Sequence, residues 1–376
     1  MLLLSGPNMG GNELKYVTEC IETGWVSSVG SYVDKFEKMS AEFAGTKYAV
    51  ATSSGTTALH ICLILMGVKP EDMVIAPNIT FIATLNSIKY TGASPILIDT
   101  DVNNWQMDLN ILENFLSTET EQKNNTCYHK KSGRRIPVIM PVHVLGNICD
   151  MDRLLALAKK HNLIVIEDST EALGSYYKGK HAGSFGLMGT FSYNGNKIMT
   201  TGGGGMIVTN DEAIAKKAKH LTTQAKSDPF EYVHDEIGYN YRLVNVAAAM
   251  GVAQMEQLPS FIQRKHEIIA FYKKELSGVG DIKFQQVSED VNINWWLPTI
   301  FTSKQKEVLT ILNDHKMQSR PFWVPMNQLR MFKDDLYIND NDRSDFVYQH
   351  CLSIPCSTNI TDEQLKAVSD KIREVF

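Results

Sequence analysis

The chain is expected to be an α/β protein, with a mainly parallel sheet in a large domain and a small α+β C-terminal domain. Three observations predict this. Short β-branched runs alternate with helical patterns through the first two-thirds of the sequence. The texture changes after Arg242, where long helical patterns give way to mixed short elements. The 376 residues also exceed the roughly 250–300 at which a single hydrophobic core usually stops growing. The expected division is a large domain over 1–250 and a small one over 251–376.

Each element follows from its own pattern. Near the start, DKFEKMSAEFAG places Phe36, Met39 and Phe43 at helical spacing before Gly45 stops the helix. The strands are expected at Tyr48–Thr52, Met73–Ala76, Pro95–Asp99, Pro137–Val142, Leu163–Glu167, Gly189–Tyr193 and Gly205–Thr209, from β-branched and apolar runs bounded by turn residues. The segment Ser117 to Arg135 is polar and rich in Asn, so it is expected as a surface loop. In DMDRLLALAKKHN, Asp150 caps a helix that leads into the strand LIVIED. After Arg242, LVNVAAAMGVAQMEQL and FIQRKHEIIAFYKKEL read as two successive helices. The remainder offers a strand in WWLPTIFT, a helix in KEVLTILNDH and a final helix in TDEQLKAVSDKIREVF.

Composition removes several classes of function. With 37 Lys+Arg against 42 Asp+Glu the formal charge is -5, and no basic block is long enough to follow a phosphate backbone, so no nucleic acid is expected as partner. No apolar run approaches the roughly 20 residues of a membrane span, and MLLLSGPNMGGNEL lacks the basic start of a secretory signal. A cytoplasmic location, with no membrane, is the expectation. The six cysteines contain no C-x-x-C pair and are expected as buried free thiols, and the ten histidines form no metal-ligand spacing. No metal is expected.

In an open α/β sheet, ligands bind beyond the carboxyl ends of the strands. There, Ser54-Gly55-Thr56 sits between a strand and a helix, where backbone N–H groups and a helix dipole suit a phosphate; helix capping alone is the alternative. The G-x-x-x-x-G-K-[ST] and G-x-G-x-x-G spacings are absent, which disfavours nucleoside triphosphates and a hydride-transferring dinucleotide enzyme. The strand LIVIED delivers Glu167 and Asp168 to its end, where a carboxylate can cap a helix, bind a metal or hold a proton on a heterocyclic nitrogen. Lys197 follows an aromatic strand and precedes Gly202 to Gly205. A lysine in a desolvated pocket has a lowered pKa and can form a Schiff base with an aldehyde. Lys197, Asp168 and the Ser-Gly-Thr cup together make the set that pyridoxal phosphate needs.

The blocks SGTTAL, PNITFIATLNSI, EDSTEALGS, FSYNGNKIMTTGGGG and GYNYRLVNVAAAMG occur in this order and resemble the DegT/DnrJ/EryC1/StrS sugar aminotransferase family. Within it, GWVSSVGSYVDKFE, PVHVLGNICDMD and the NGNK before four glycines resemble the LegC-like branch. The resemblance implies the type I fold of pyridoxal-phosphate enzymes, similar to aspartate aminotransferase. It implies that Lys197 bonds the cofactor and shuttles the proton, that Asp168 keeps the pyridine nitrogen protonated, and that Ser54, Gly55, Thr56 and Ser192 hold the phosphate. Phe81 matches an aromatic lying against the ring, with a place in the core as the alternative, and Glu171 lines the same pocket. Asn240 matches a residue that reaches the neighbouring subunit's phosphate, which implies a homodimer with a shared site. Family members that are dehydratases carry histidine at the place of Lys197; a non-catalytic sensor would need neither Lys197 nor Asp168.

Glutamate is the implied amino donor, and the acceptor is a nucleotide-linked 4-keto-6-deoxy sugar. The branch implies UDP-2-acetamido-4-keto-2,6-dideoxyhexose for glycan or nonulosonate biosynthesis; GDP-4-keto-6-deoxymannose, giving perosamine, and a dTDP-keto sugar remain alternatives. His143 stands at a strand end, where it either touches substrate or is structural. Trp25, Trp295, Trp296 and Trp323 either stack on base or sugar or belong to the core.

Overall fold

The computed structural model describes residues 1–228 and 230–376. All seven expected strands are present and join an eight-stranded sheet. Its order is Tyr48–Thr52, Gly205–Thr209, Met188–Ser192, Ile164–Asp168, Val138–Ile139, Met73–Pro77, Ser94–Ile98 and Leu336–Ile338. Only Gly205–Thr209 runs antiparallel to its two neighbours; the other pairings are parallel. The central strands are buried on both faces, which is why they read as continuous apolar runs. The helix Gly55–Leu65 packs on this sheet with almost every residue from Ala58 to Leu63 buried.

The helix ends are chemically specified. Asp150 accepts the Arg153 N–H at 3.0 Å and starts Met151–Lys160, as expected. Gly45 ends Ser31–Ala44 with φ 66°, a left-handed position that costs glycine nothing.

Two expectations are corrected. Ser117 to Arg135 is not a plain loop: Thr120–Lys123 and Thr126–His129 form an antiparallel hairpin. Its turn is Asn124-Asn125, both with positive φ, and asparagine tolerates this type I′ geometry well. The two helices expected after Arg242 are one helix, Asn245–Glu275, which runs through Pro259. Proline lacks only one N–H donor, and the burial of Leu258 and Phe261 beside it holds the helix together. Residue 250 lies within this helix.

The C-terminal elements build a four-stranded sheet in the order Lys283–Phe284, Thr299–Phe301, Cys351–Ser353, Arg320–Pro321, with Gln305–Asp314 and Asp362–Arg373 as its helices. This part is tied to the large sheet by Leu336–Ile338 and by a capping contact across the chain. Asp99, fully buried, accepts the Arg343 and Ser344 N–H groups at 2.9 and 2.8 Å and so caps the helix Arg343–His350. All six cysteines are free and buried. Among the described residues, no helix is long and apolar enough to cross a membrane.

Glu167 closes the core beneath the strand ends. Its carboxylate, fully buried, accepts the N–H groups of Gly183, Phe185 and Gly186 at 2.6–2.8 Å and pairs with His143 Nε2 at 2.9 Å. Replacing Glu167 with Ala leaves one buried and two partly buried N–H donors and a buried histidine without this partner. The variant is expected to lose about 3–5 kcal/mol of unfolding free energy, read as a lower urea midpoint at constant denaturant slope.

Candidate active site

A cavity of about 340 Å³ opens beyond the carboxyl ends of the large sheet. Its walls combine the start of the helix Gly55–Leu65, the Lys197 loop and the aromatic segments at Trp296 and Phe322-Trp323. Lys197, Ser54, Gly55, Thr56, Phe81, Ser192, Trp296 and Trp323 all line it, so eight of the residues singled out from the sequence meet at one place.

The cup at Ser54 follows from helix chemistry. Ser54 Oγ accepts the Thr57 N–H at 3.1 Å, and Thr57 Oγ1 accepts the Ser54 N–H at 3.0 Å, a reciprocal capping box. The first-turn N–H groups of Gly55 and Thr56 precede any intrahelical acceptor and sit at the positive end of the helix dipole. Two glycines keep this corner compact. A Cβ on Gly205 would stand 2.3 Å from the Ser54 carbonyl oxygen, and one on Gly55 would stand 2.9 Å from Ser192 Cβ. The GYNYRL block also braces the cup, because the Tyr241 carbonyl accepts the Ser53 N–H at 2.7 Å.

Asp168 ends its strand beneath Thr170, which lines the cavity. One carboxylate oxygen accepts the Thr84 hydroxyl at 2.7 Å, and the other accepts the Thr170 hydroxyl at 2.7 Å and the Thr170 N–H at 3.2 Å. These donors fix the direction of the carboxylate.

Lys197 brings an amine to the cavity wall. Burial lowers its pKa, and the nearby carboxylates of Glu171 and Asp168 oppose that shift. Glu171 Oε1 lies 3.9 Å from Lys197 Nζ, outside hydrogen-bond reach. Burial pushes Glu171 up to about 7, against the pull of Lys197 and of the Leu145 N–H, which Glu171 accepts at 2.7 Å. Leu145 has φ 59°, so this carboxylate also holds a left-handed residue of the cavity wall in place.

The other sequence candidates stand elsewhere. His143 has no exposed surface and is bound to Glu167; it does not line the cavity, and its position in the core removes it from contact with a ligand there. Trp25 is 57% exposed beyond the first helix and is likewise away from the cavity. Asn240 is exposed and bridges Thr223 on the surface. Trp295 is buried outside the cavity with Lys273 Nζ over its ring at 4.6 Å. His220 meets the adjacent Asp235 and Glu236 on the surface, where Lys217 pairs with Glu236.

Thr84, Thr170 and Arg320 escaped the reading of the sequence. Thr170 stood two residues from Asp168 in EDST, a local signal for a side-chain bond to that carboxylate. Thr84 reaches Asp168 across 84 residues of chain and Arg320 enters from the C-terminal sheet, so neither had a local signal.

The DegT/DnrJ/EryC1/StrS aminotransferase family matches residues 7–373, and the chain belongs to that family. It is 38% identical over 373 residues to the GDP-perosamine synthase of Escherichia coli O157:H7, covering 98% of this chain and 97% of that protein. It is 34% identical to the putative pyridoxal phosphate-dependent aminotransferase EpsN of Bacillus subtilis, covering 100% and 96%. Among solved structures, a DegT DnrJ EryC1 StrS aminotransferase from Brucella abortus superposes with a TM-score of 0.89 at 23% identity, covering 97% of this chain and 95% of that one. The fold is therefore the type I aminotransferase fold.

The raised Glu171 fixes the sign of one pH effect. Below pH 4.5 the carboxyl is protonated in folded and unfolded chains alike and contributes nothing. Between 4.5 and about 7 the folded chain holds the proton that the unfolded chain has released, so stability falls as pH rises through that window. Urea midpoints at pH 5 and pH 7.5 are expected to show a larger drop for the wild type than for Glu171→Gln, which has no proton to lose.

Proposed function

We propose that this aminotransferase moves the amino group of glutamate to C4 of a nucleotide-linked 4-keto-6-deoxy sugar, with Lys197 as the reacting amine. The observation that carries the reading is the convergence of a largely buried Lys197 and the Ser54-Gly55-Thr56 helix start on one cavity, with Asp168 bound to the hydroxyl of Thr170 in its wall.

The cofactor is pyridoxal 5′-phosphate, and the residues suit it. Gly55 leaves the phosphate corner free of a side chain that would crowd Ser192 and Thr170. The Gly55 and Thr56 N–H groups and the Ser54 and Ser192 hydroxyls would take the phosphate. Bound there, the cofactor supplies an aldehyde that accepts the amino group and a ring that draws electrons from the reacting carbon. Asp168, fixed by Thr84 and Thr170, would hold the proton on the ring nitrogen. Lys197 Nζ moves the proton between the substrate carbon and the cofactor, a task that its lowered pKa favours at neutral pH. Phe81, Trp296, Leu297 and Phe322 line the cavity as apolar wall that would shield a bound ring from water.

The exposed Asn240 is read as a ligand of the neighbouring subunit's phosphate, which makes the working unit a homodimer with shared sites. For the acceptor, the LegC-like blocks favour UDP-2-acetamido-4-keto-2,6-dideoxyhexose. A GDP-4-keto-6-deoxy sugar is the second reading, favoured by the name of the Escherichia coli relative.

The test is incubation with glutamate and a panel of UDP-, GDP- and dTDP-4-keto-6-deoxy sugars, following 2-oxoglutarate release and the product by NMR. The highest kcat/KM is expected for the UDP sugar; a preference for the GDP sugar selects the second reading, and no turnover with any 4-keto sugar defeats both. Lys197→Ala is expected to lose the visible absorbance of the lysine-bound cofactor, and Asp168→Asn to lower turnover by about 10²–10⁴-fold while retaining that absorbance.

A further inference from the structure

Trp296 is held from three directions. Its backbone N–H donates to Asn294 Oδ1 at 2.9 Å, its carbonyl accepts from Lys265 Nζ at 2.8 Å, and its indole N–H donates to the Asn196 carbonyl at 2.7 Å. Lys265 is 1% exposed and also donates to the Cys356 carbonyl at 2.7 Å, so the anchor is itself fixed in the core. Asn196 immediately precedes Lys197, so the indole N–H locks the ring to the same stretch of backbone that carries the amine. The ring lies against that amine: Lys197 Nζ is 4.1 Å from its centroid.

This distance is well inside the range of a cation–π contact, and the ring is buried, where such contacts are strongest. The other charged groups facing Lys197 are Glu171 at 3.9 Å, Asp168 beneath Thr170 and Arg320 on the cavity wall. A carboxylate in direct contact would hold the ammonium in an ion pair and resist its deprotonation. An uncharged π face attracts the cation but takes no proton, so the amine stays localised and can still act as a base.

We propose that Trp296 is a positioning residue whose π face seats the Lys197 ammonium in the part of the cycle when that lysine is not bonded to the cofactor. The inference rests on the reading of Lys197 as the reacting amine. It explains why a tryptophan in the cavity wall is bound through its backbone N–H, its carbonyl and its ring N–H at once.

The test replaces Trp296 with tryptophans carrying one to four fluorines by nonsense suppression, because fluorine withdraws charge from the π face and changes the shape of the ring little. Cofactor-free protein is mixed with pyridoxal phosphate across a pH series, and recombination is followed by the absorbance of the lysine adduct. The pKa of the amine that governs recombination is expected to fall stepwise with fluorine number, by about half a unit to one and a half units over the series. A pKa that stays constant across the series overturns the inference. Borohydride reduction and peptide mapping of the wild type separate the two levels: no label on Lys197 defeats the parent reading, whereas a label on Lys197 with an unmoved pKa defeats only the role of Trp296.

Discussion

Two neighbouring carboxylates leave the end of one central strand on opposite faces, and the arrangement of the site depends on that alternation. In an extended chain successive side chains point to opposite sides of the sheet. Glu167 turns into the core, where three N–H groups and His143 hold it. Asp168 turns the other way, to the hydroxyls of the buried Thr84 and of Thr170, which lines the cavity. A shift of one residue in the register of Ile164–Asp168 would exchange the carboxylate held in the core with the one held by Thr84 and Thr170.

Around that strand end the charges are arranged with few direct contacts. Lys197 Nζ lies 3.9 Å from Glu171 Oε1 without bonding it and 4.1 Å from the centroid of the Trp296 ring. Glu171 divides its influence between the lysine and the left-handed Leu145. Among the described residues no carboxylate pairs with the buried Lys265; carbonyl oxygens at Trp296 and Cys356 and the Ser5 hydroxyl meet its ammonium instead. Burial of this kind costs stability unless every donor is satisfied, and here the satisfied donors join the N-terminal segment, the Trp296 segment and the Cys356 segment behind the cavity.

Much of this was legible in the order of residues. The seven strands were visible because buried parallel strands leave continuous apolar runs. The Ser-Gly-Thr cup and Lys197 were visible because each lies at a strand end with its own local signal. The hairpin at Asn124-Asn125 was hidden because its strands are polar and short, although the Asn pair was a turn signal. The single helix Asn245–Glu275 was read as two because Pro259 breaks isolated helices, while packing on both sides retains this one.

By itself, the sequence determined the type of fold, the family and the residues that converge on the cavity, since strand periodicity, helix capping and short motifs are local properties. Tertiary structure alone decided that His143 serves Glu167 and not a ligand, that Thr84 and Arg320 reach the site, and that Trp296 lies against Lys197. Those facts join residues far apart in the chain. They depend on which face of each strand is buried and on how the C-terminal sheet meets the large one, and no local pattern encodes either.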